Sequence, residues 1–206
     1  LYDKYYKMLQ IFNFNKISSC LNYEYIIIKN NLYKINSSLE LIDSDIVHLN
    51  SNNEFITYLK NDFKICNNET TFELDNIKSK KIVYSSIGKS HSLFIDIDGT
   101  VWSCGDGIDG KLGLNSCQSY NIPQKIQFKN INCIKTATGN DHSVILTDEG
   151  DVYTFGSNKY GQLGIKKTIL FSQDPVKIKT KIKDIFAGKD FTIIFGINNE
   201  LFTFGN

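Results

Sequence analysis

From residue 81 onward the chain alternates short apolar, β-branched runs with polar punctuation that usually contains glycine. Residues 91–95 and 144–146 are such runs. Asp98-Gly99 and Glu149-Gly150 follow as turn signals, and Val101-Trp102 and Val152-Tyr153 begin a second run. Two short runs joined by a glycine-bearing turn predict a β-hairpin, with glycine supplying the positive φ that the turn needs. Glycine straight after the aromatic strand, then Gly-x-Leu-Gly, predicts a tight loop where backbones approach closely. A third strand is predicted around 123–126 and 175–178, and a fourth at 131–136 and 182–187. Four short antiparallel strands recurring every ~50 residues describe one blade of a β-propeller. The longest apolar run, at 25–28, is strand-sized and far short of the ~18 residues of a membrane span. No signal-peptide pattern opens the chain.

The pattern is an internal repeat. Gly88, His91, Gly99, Gly105, Gly110 and Gly113 recur 51 residues later as Gly139, His142, Gly150, Gly156, Gly161 and Gly164. A third copy, 49 residues further on, keeps Gly188 and Gly205 and has Phe191 in the histidine position. Gly-x-x-His-Ser, a hydrophobic run, then Gly-x-Val-aromatic-x-x-Gly-x(4)-Gly-x-Leu-Gly resembles the repeat of the regulator of chromosome condensation family. The resemblance is clear over 82–206 and fades over 20–80. It implies an all-β fold, a partial β-propeller with about four four-stranded antiparallel blades of a ring that in the family has seven. Such a chain is expected to be an arc whose end faces expose apolar edge surface. Because it begins with Leu1 and its third copy stops in mid-pattern at Asn206, the chain is read as a piece of a longer protein.

Residues 81–206 are thus the repeat domain, truncated at its C-terminus, and 1–80 are either degenerate blades or a capping segment. The stretch from Tyr25 to Ile35 echoes the third copy's Ile193-Ile194 and its run from Asn198 to Phe204. The run Glu54 to Tyr58 followed by Asp62-Phe63 suits another hairpin. Leu1, Tyr5, Met8 and Phe12 would share one helical face if this segment is a cap.

Composition adds two constraints. All 14 glycines lie between Gly88 and Gly205, so the two halves make different backbone demands. Arginine is absent from the 206 residues, which removes the bidentate fork that phosphate and guanine recognition favours. A net charge of +1 argues against a nucleic-acid domain that binds through bulk charge. Cys20, Cys66, Cys104, Cys117 and Cys133 form no Cys-x-x-Cys pair and show no zinc spacing. They point to a reducing compartment, and each is expected to serve as a small buried hydrophobe.

Three stretches imitate enzyme motifs. The segment from Phe94 to Val101 fits the first motif of haloacid dehalogenase-type phosphatases, with Asp96 as nucleophile and Asp98 as acid/base, on Mg²⁺. In the repeat register Asp96 aligns with Thr147 and Asp98 with Glu149, which favours a hairpin turn; the phosphatase is the remote alternative. Gly105-x-Gly107-x-x-Gly110 is formally a dinucleotide fingerprint, but no helix pattern follows it. Gly105-x(4)-Gly110-Lys111 nearly spells a P-loop, yet Leu112 stands where Ser or Thr must hold Mg²⁺. His91 and His142 are read as structural, each bonding backbone inside its own blade. No catalytic residue, cofactor or metal site is expected.

Lys177, Lys179, Lys181 and Lys183 alternate with Ile178, Thr180 and Ile182. An extended segment would put all four lysines on one face for an anionic partner, with Lys166 and Lys167 nearby; a turn near Lys179-Thr180 would split them. The expected protein is therefore a non-catalytic platform that binds a protein partner, with no membrane and no small-molecule substrate. The resemblance implies two jobs: guanine-nucleotide exchange on a Ran-type small GTPase with chromatin association, or a scaffold in a larger multidomain protein such as a ubiquitin ligase. The family's exchange activity depends on an insertion protruding from one blade, for which the sequence offers no candidate. Location is expected to be intracellular, nuclear or cytoplasmic.

Overall fold

The computed structural model describes residues 14–20, 23–28, 31–35, 39–51, 56–60, 64–67, 71–73, 77, 80–128 and 131–206. The helical face assigned to Leu1, Tyr5, Met8 and Phe12 lies outside the described residues, as do Asp62 and Phe63. The chain divides into two compact units, Leu1–Glu73 and Leu74–Asn206.

The first unit holds two antiparallel sheets, each in chain order. Strands β1 (Phe14–Cys20), β2 (Tyr23–Ile28), β3 (Asn31–Ile35) and β4 (Leu39–Asp43) form one, and β5 (Ile46–Ser51), β6 (Ile56–Lys60), β7 (Lys64–Asn67) and β8 (Thr71–Glu73) the other. The isoleucine run around Tyr25 is the β2 arm of a hairpin with β3, registered by Ile27↔Leu32 and Tyr25↔Lys34. Ile27, Leu32 and Ile46 are buried. Lys60 on β6 pairs with Asp43 at the end of β4 at 2.6 Å.

The second unit repeats the same meander. Its sheets are β9 (Ile82–Ile87), β10 (His91–Asp96), β11 (Val101–Gly105) and β12 (Tyr120–Lys125); β13 (Cys133–Thr138), β14 (His142–Thr147), β15 (Val152–Ser157) and β16 (Phe171–Lys179); and β17 (Ile182–Ala187), β18 (Phe191–Gly196) and β19 (Leu201–Gly205). The hairpins superpose in register: His91↔Gly105, His142↔Gly156 and Phe191↔Gly205 are equivalent pairs. In phase, however, the structure differs from the sequence reading. The strands expected at 131–136 and 182–187 to complete a blade instead open the next one, as β13 and β17. A fifty-residue period fixes where strands recur but not which neighbour each pairs with.

Apolar side chains fill the two seams between these sheets. Leu93, Ile95, Val101 and Ile126 of one sheet meet Cys133, Ile145 and Phe155 of the next. Val144, Leu146 and Val152 meet Ile182, Ile185 and Ile194. The middle sheet is thus covered on both faces. That is why β14 is buried along its whole length, with consecutive Val144, Ile145 and Leu146 at its centre instead of an alternation of apolar and polar residues. Polar contacts join residues about one repeat apart across the seams: Ser86 Oγ donates to Thr136 Oγ1 at 2.9 Å, Lys135 pairs with Asp184, and Lys159 with Asp109 at 2.8 Å.

Candidate interaction surface

The repeated histidines are joints between sheets. Each lies over its own sheet's glycine, and a Cβ on Gly139 would stand 2.4 Å from His142 Nδ1. His91 Nε2 meets Ser143 Oγ at 2.8 Å, and His142 Nε2 meets Thr192 Oγ1 at 2.9 Å. Those hydroxyls in turn donate to the carbonyls of Lys111 and Gln162, both at 2.8 Å. A hydroxyl that spends its proton on a carbonyl must accept from the imidazole, so Nε2 carries the ring proton and the buried Nδ1, which has no partner, does not. Burial pushes His91 down to about 3, with the Lys111 and His142 charges acting in the same direction. Burial likewise lowers His142 to about 4, against the Asp141 carboxylate. The expected bond to own-blade backbone is replaced by a bond to the neighbouring sheet's hydroxyl. Phe191 has no ring nitrogen for such a bond.

The enzyme-like residues are committed to the fold. Asp96 is buried, and its carboxylate accepts from Asp98 N at 3.0 Å, Thr100 N at 2.9 Å and Trp102 Nε1 at 2.9 Å. It is the internal tie of a hairpin turn. Asp98 is exposed, with Lys80 at 3.6 Å. The glycine stretch after β11 opens no helix; it makes a single 3₁₀ turn, Ile108–Gly110. Lys111 is 1% exposed, and its ammonium sits 2.8 Å from both Asp106 and Asp141 and 3.0 Å from Ser90 Oγ. Burial opposes its charge, but the hydrogen bonds from Asp106 and Asp141 outweigh that and raise its pKa. It is a cation closing a seam, with no donor left for a phosphate. Cys133 is buried and Cys104 half-buried, and burial pushes both thiols up to about 12. Cys117 departs from the expectation and is exposed. Among the described residues no group of His, Cys, Asp and Glu could hold a metal ion, and no helix is long and apolar enough to cross a membrane.

The lysine segment is split. β16 ends at Lys179, Lys181 turns the chain at φ 59°, and Lys183 belongs to β17 of the next sheet. Lys177 pairs with Asp151, Lys179 lies 3.9 Å above the Phe202 ring, and Lys183 donates to Asn199 Oδ1 at 2.7 Å. Lys166 and Lys167 precede β16, so nine strand residues, roughly 30 Å, separate them from this turn.

In that distant loop, between β15 and β16, the sequence singles out only Lys166 and Lys167 as candidate contacts. Asn158 organises it: its amide donates to the carbonyls of Ile169 at 2.7 Å and Lys166 at 3.3 Å, its Oδ1 accepts from Leu163 N, and its backbone N–H reaches Leu170 O at 2.7 Å. The loop so held exposes Tyr160, Ile169, Leu170 and Phe171. Its signal in the sequence is the contrast between Lys166 to Phe171 and the equivalent Asn115 to Tyr120 one repeat earlier.

Known proteins agree with this architecture. The regulator of chromosome condensation (RCC1) repeat matches residues 98–146 and 149–195, and a second form of the same repeat matches 133–162. Residues 98–195 carry regulator of chromosome condensation repeats. Over 131 residues it is 34% identical to the inhibitor of Bruton tyrosine kinase of Mus musculus, a match spanning 60% of this chain and 10% of that protein. Over 107 residues it is 36% identical to a bifunctional serine/threonine-protein kinase/NEDD4-like E3 ubiquitin-protein ligase of Dictyostelium discoideum, spanning 50% of this chain and 6% of that one. The chain therefore spans a tenth or less of these relatives. Among solved structures, Prp20p from Saccharomyces cerevisiae, studied for its binding properties to Gsp1p and histones, superposes with a TM-score of 0.81 at 15% identity. That likeness covers 98% of this chain and 60% of Prp20p. The repeats are those of a β-propeller, and the chain holds part of one.

Proposed function

We propose that this repeat segment is a non-catalytic protein-binding module that serves as scaffold or regulator within a larger protein. The observation that supports it most is the fate of the reactive side chains. Asp96, Lys111, His91 and His142 are each buried and bonded into turns or seams. What the repeats leave free is loop surface, which is where propellers meet partners. The relatives fit such a role: one is named as an inhibitor of a kinase, the other as a kinase and ubiquitin ligase.

The second reading is guanine-nucleotide exchange on a Ran-type GTPase with chromatin association, favoured by the Prp20p likeness. In that reading the turn bearing Lys181, with Lys177, Lys179 and Lys183 beside it, is the proposed contact for an anionic partner. Release of labelled GDP from a Ran-type GTPase separates the two readings: the scaffold predicts no acceleration by the full-length protein, and acceleration would establish exchange. Changing the four lysines to Glu, with DNA and nucleosome binding followed against salt, tests the contact, since unchanged binding removes it.

A further inference from the structure

The loop between β15 and β16 is apolar and basic where its counterpart one repeat earlier is polar. Residues 166–171 read Lys-Lys-Thr-Ile-Leu-Phe; the equivalent residues 115–120 read Asn-Ser-Cys-Gln-Ser-Tyr. Both stretches join the same two strands of equivalent sheets, between the Leu-Gly pairs at 112–113 and 163–164 and the last strand. The fold therefore does not require Ile, Leu and Phe at this place. They are also not turned inward. Ile169, Leu170 and Phe171 are 45%, 59% and 42% exposed, and Tyr160 in the same loop is 55% exposed.

The loop is built to hold that display. Asn158 satisfies three backbone groups along it, Gly161 N bonds Asn158 O, Gly164 N bonds Gly161 O, and Ile169 N bonds Lys166 O. Lys159 fastens it to Asp109 in the 3₁₀ turn of the preceding repeat, beside Ile108, which is 60% exposed. That turn lies against the start of β16, where a Cβ on Gly110 would come within 2.4 Å of Gln173 Cα. An ordered loop that exposes large apolar side chains loses little conformational entropy when it binds. Within the loop itself the free charge is basic: Lys159 is paired with Asp109, while Lys166 and Lys167 are exposed and pair with no carboxylate among the described residues; the exposed Asp174 lies further along β16.

We propose that this loop, centred on Ile169, Leu170 and Phe171 and edged by Lys166 and Lys167, is a docking site for a protein segment with large apolar side chains flanked by carboxylates. The proposal rests on the reading of the chain as a protein-binding module and assigns that role to one loop of one repeat.

The chain's own earlier repeat supplies the test variant: Lys166→Asn, Lys167→Ser, Ile169→Gln, Leu170→Ser and Phe171→Tyr together. Since the bonds holding the loop are made by Asn158 to backbone groups, the variant keeps them, and its circular dichroism and thermal unfolding should match the parent. Random phage-displayed peptides would be selected on the full chain and their affinities measured by fluorescence polarisation. The expected peptides carry Asp or Glu beside Leu, Phe or Trp, and bind the exchanged variant at least about tenfold more weakly. Lys166→Glu with Lys167→Glu should weaken them and reverse the salt dependence, the residual binding strengthening as added salt screens the new repulsion. Peptides that hold the exchanged variant as tightly as the parent overturn the loop and leave the module reading standing. A selection that yields no binder to either protein overturns both. Loop-dependent binding of a poly-dT oligonucleotide or of phosphatidylserine vesicles, tighter than that of any selected peptide, overturns the protein partner.

Discussion

A buried imidazole that must stay neutral makes a seam sensitive to acid. Unfolded histidines titrate near 6.5, whereas His91 and His142 titrate at about 3 and about 4 in the fold. Between those values the unfolded chain binds more protons, so stability is fully present above about pH 6.5 and is lost as pH falls toward the folded values. The unfolding free energy from urea titration should drop between pH 7 and pH 4.5, by up to ~1.4 kcal/mol per histidine per pH unit below about 6.5. Trp102, the single tryptophan, is the fluorescent reporter. His91→Phe with His142→Phe should flatten that profile while costing about 1 kcal/mol per lost hydrogen bond at pH 7; an unaltered slope would show that the histidines do not carry it. Lys111 makes a second case. Lys111→Gln, which copies Gln162 one repeat on, should cost less than Lys111→Ala, because alanine also empties the volume of a fully buried stem. The midpoints of the two variants decide it. Sequence marked these positions as repeated but could not name their partners, since Ser143, Thr192 and Asp141 belong to other copies.

Within one hairpin the same logic separates glycines that look alike. Gly156 adopts φ 101°, and a Cβ there would lie 2.5 Å from Asp141 O and 2.8 Å from His142 Cα, both backbone. Gly161 adopts φ 86° with only the Lys167 side chain near, at 3.8 Å. Gly161→Ala should therefore cost about 1 kcal/mol from the left-handed backbone alone, while Gly156→Ala must shift the strand pair and should lose several times more. Thermal unfolding of the two variants compares them directly. The turn tied by Asp96 behaves as an element too. Asp96→Asn puts an amide where two backbone N–H groups and Trp102 Nε1 all donate, and should destabilise by about 1–3 kcal/mol. A variant as stable as the parent would overturn the structural role given to Asp96. Strands and turns were legible because each needs only its own residues: a β-branched run, a glycine at positive φ. Which sheet β13 and β17 join was not, because pairing is settled by the seam that forms around them.

At the scale of the molecule, residues 74–206 contain three sheets and both apolar seams described for them. Expressed alone, that unit should keep its β circular dichroism and unfold in one transition with Trp102 reporting; a loss of cooperativity would show that its stability comes from elsewhere. Its glycine-rich repeat was plain in the chain itself, since turn chemistry is local and recurs with each copy. The sequence by itself determined the all-β repeat, its hairpins with glycine at the turns, and the equivalence of His91, His142 and Phe191. Only the tertiary structure decided that histidines and lysines join neighbouring sheets, that Lys177 to Lys183 divide at a turn, and that an apolar loop faces outward. Those features depend on contacts between residues about fifty positions apart, or on burial against a second sheet, and neither distance nor burial is written in local spacing.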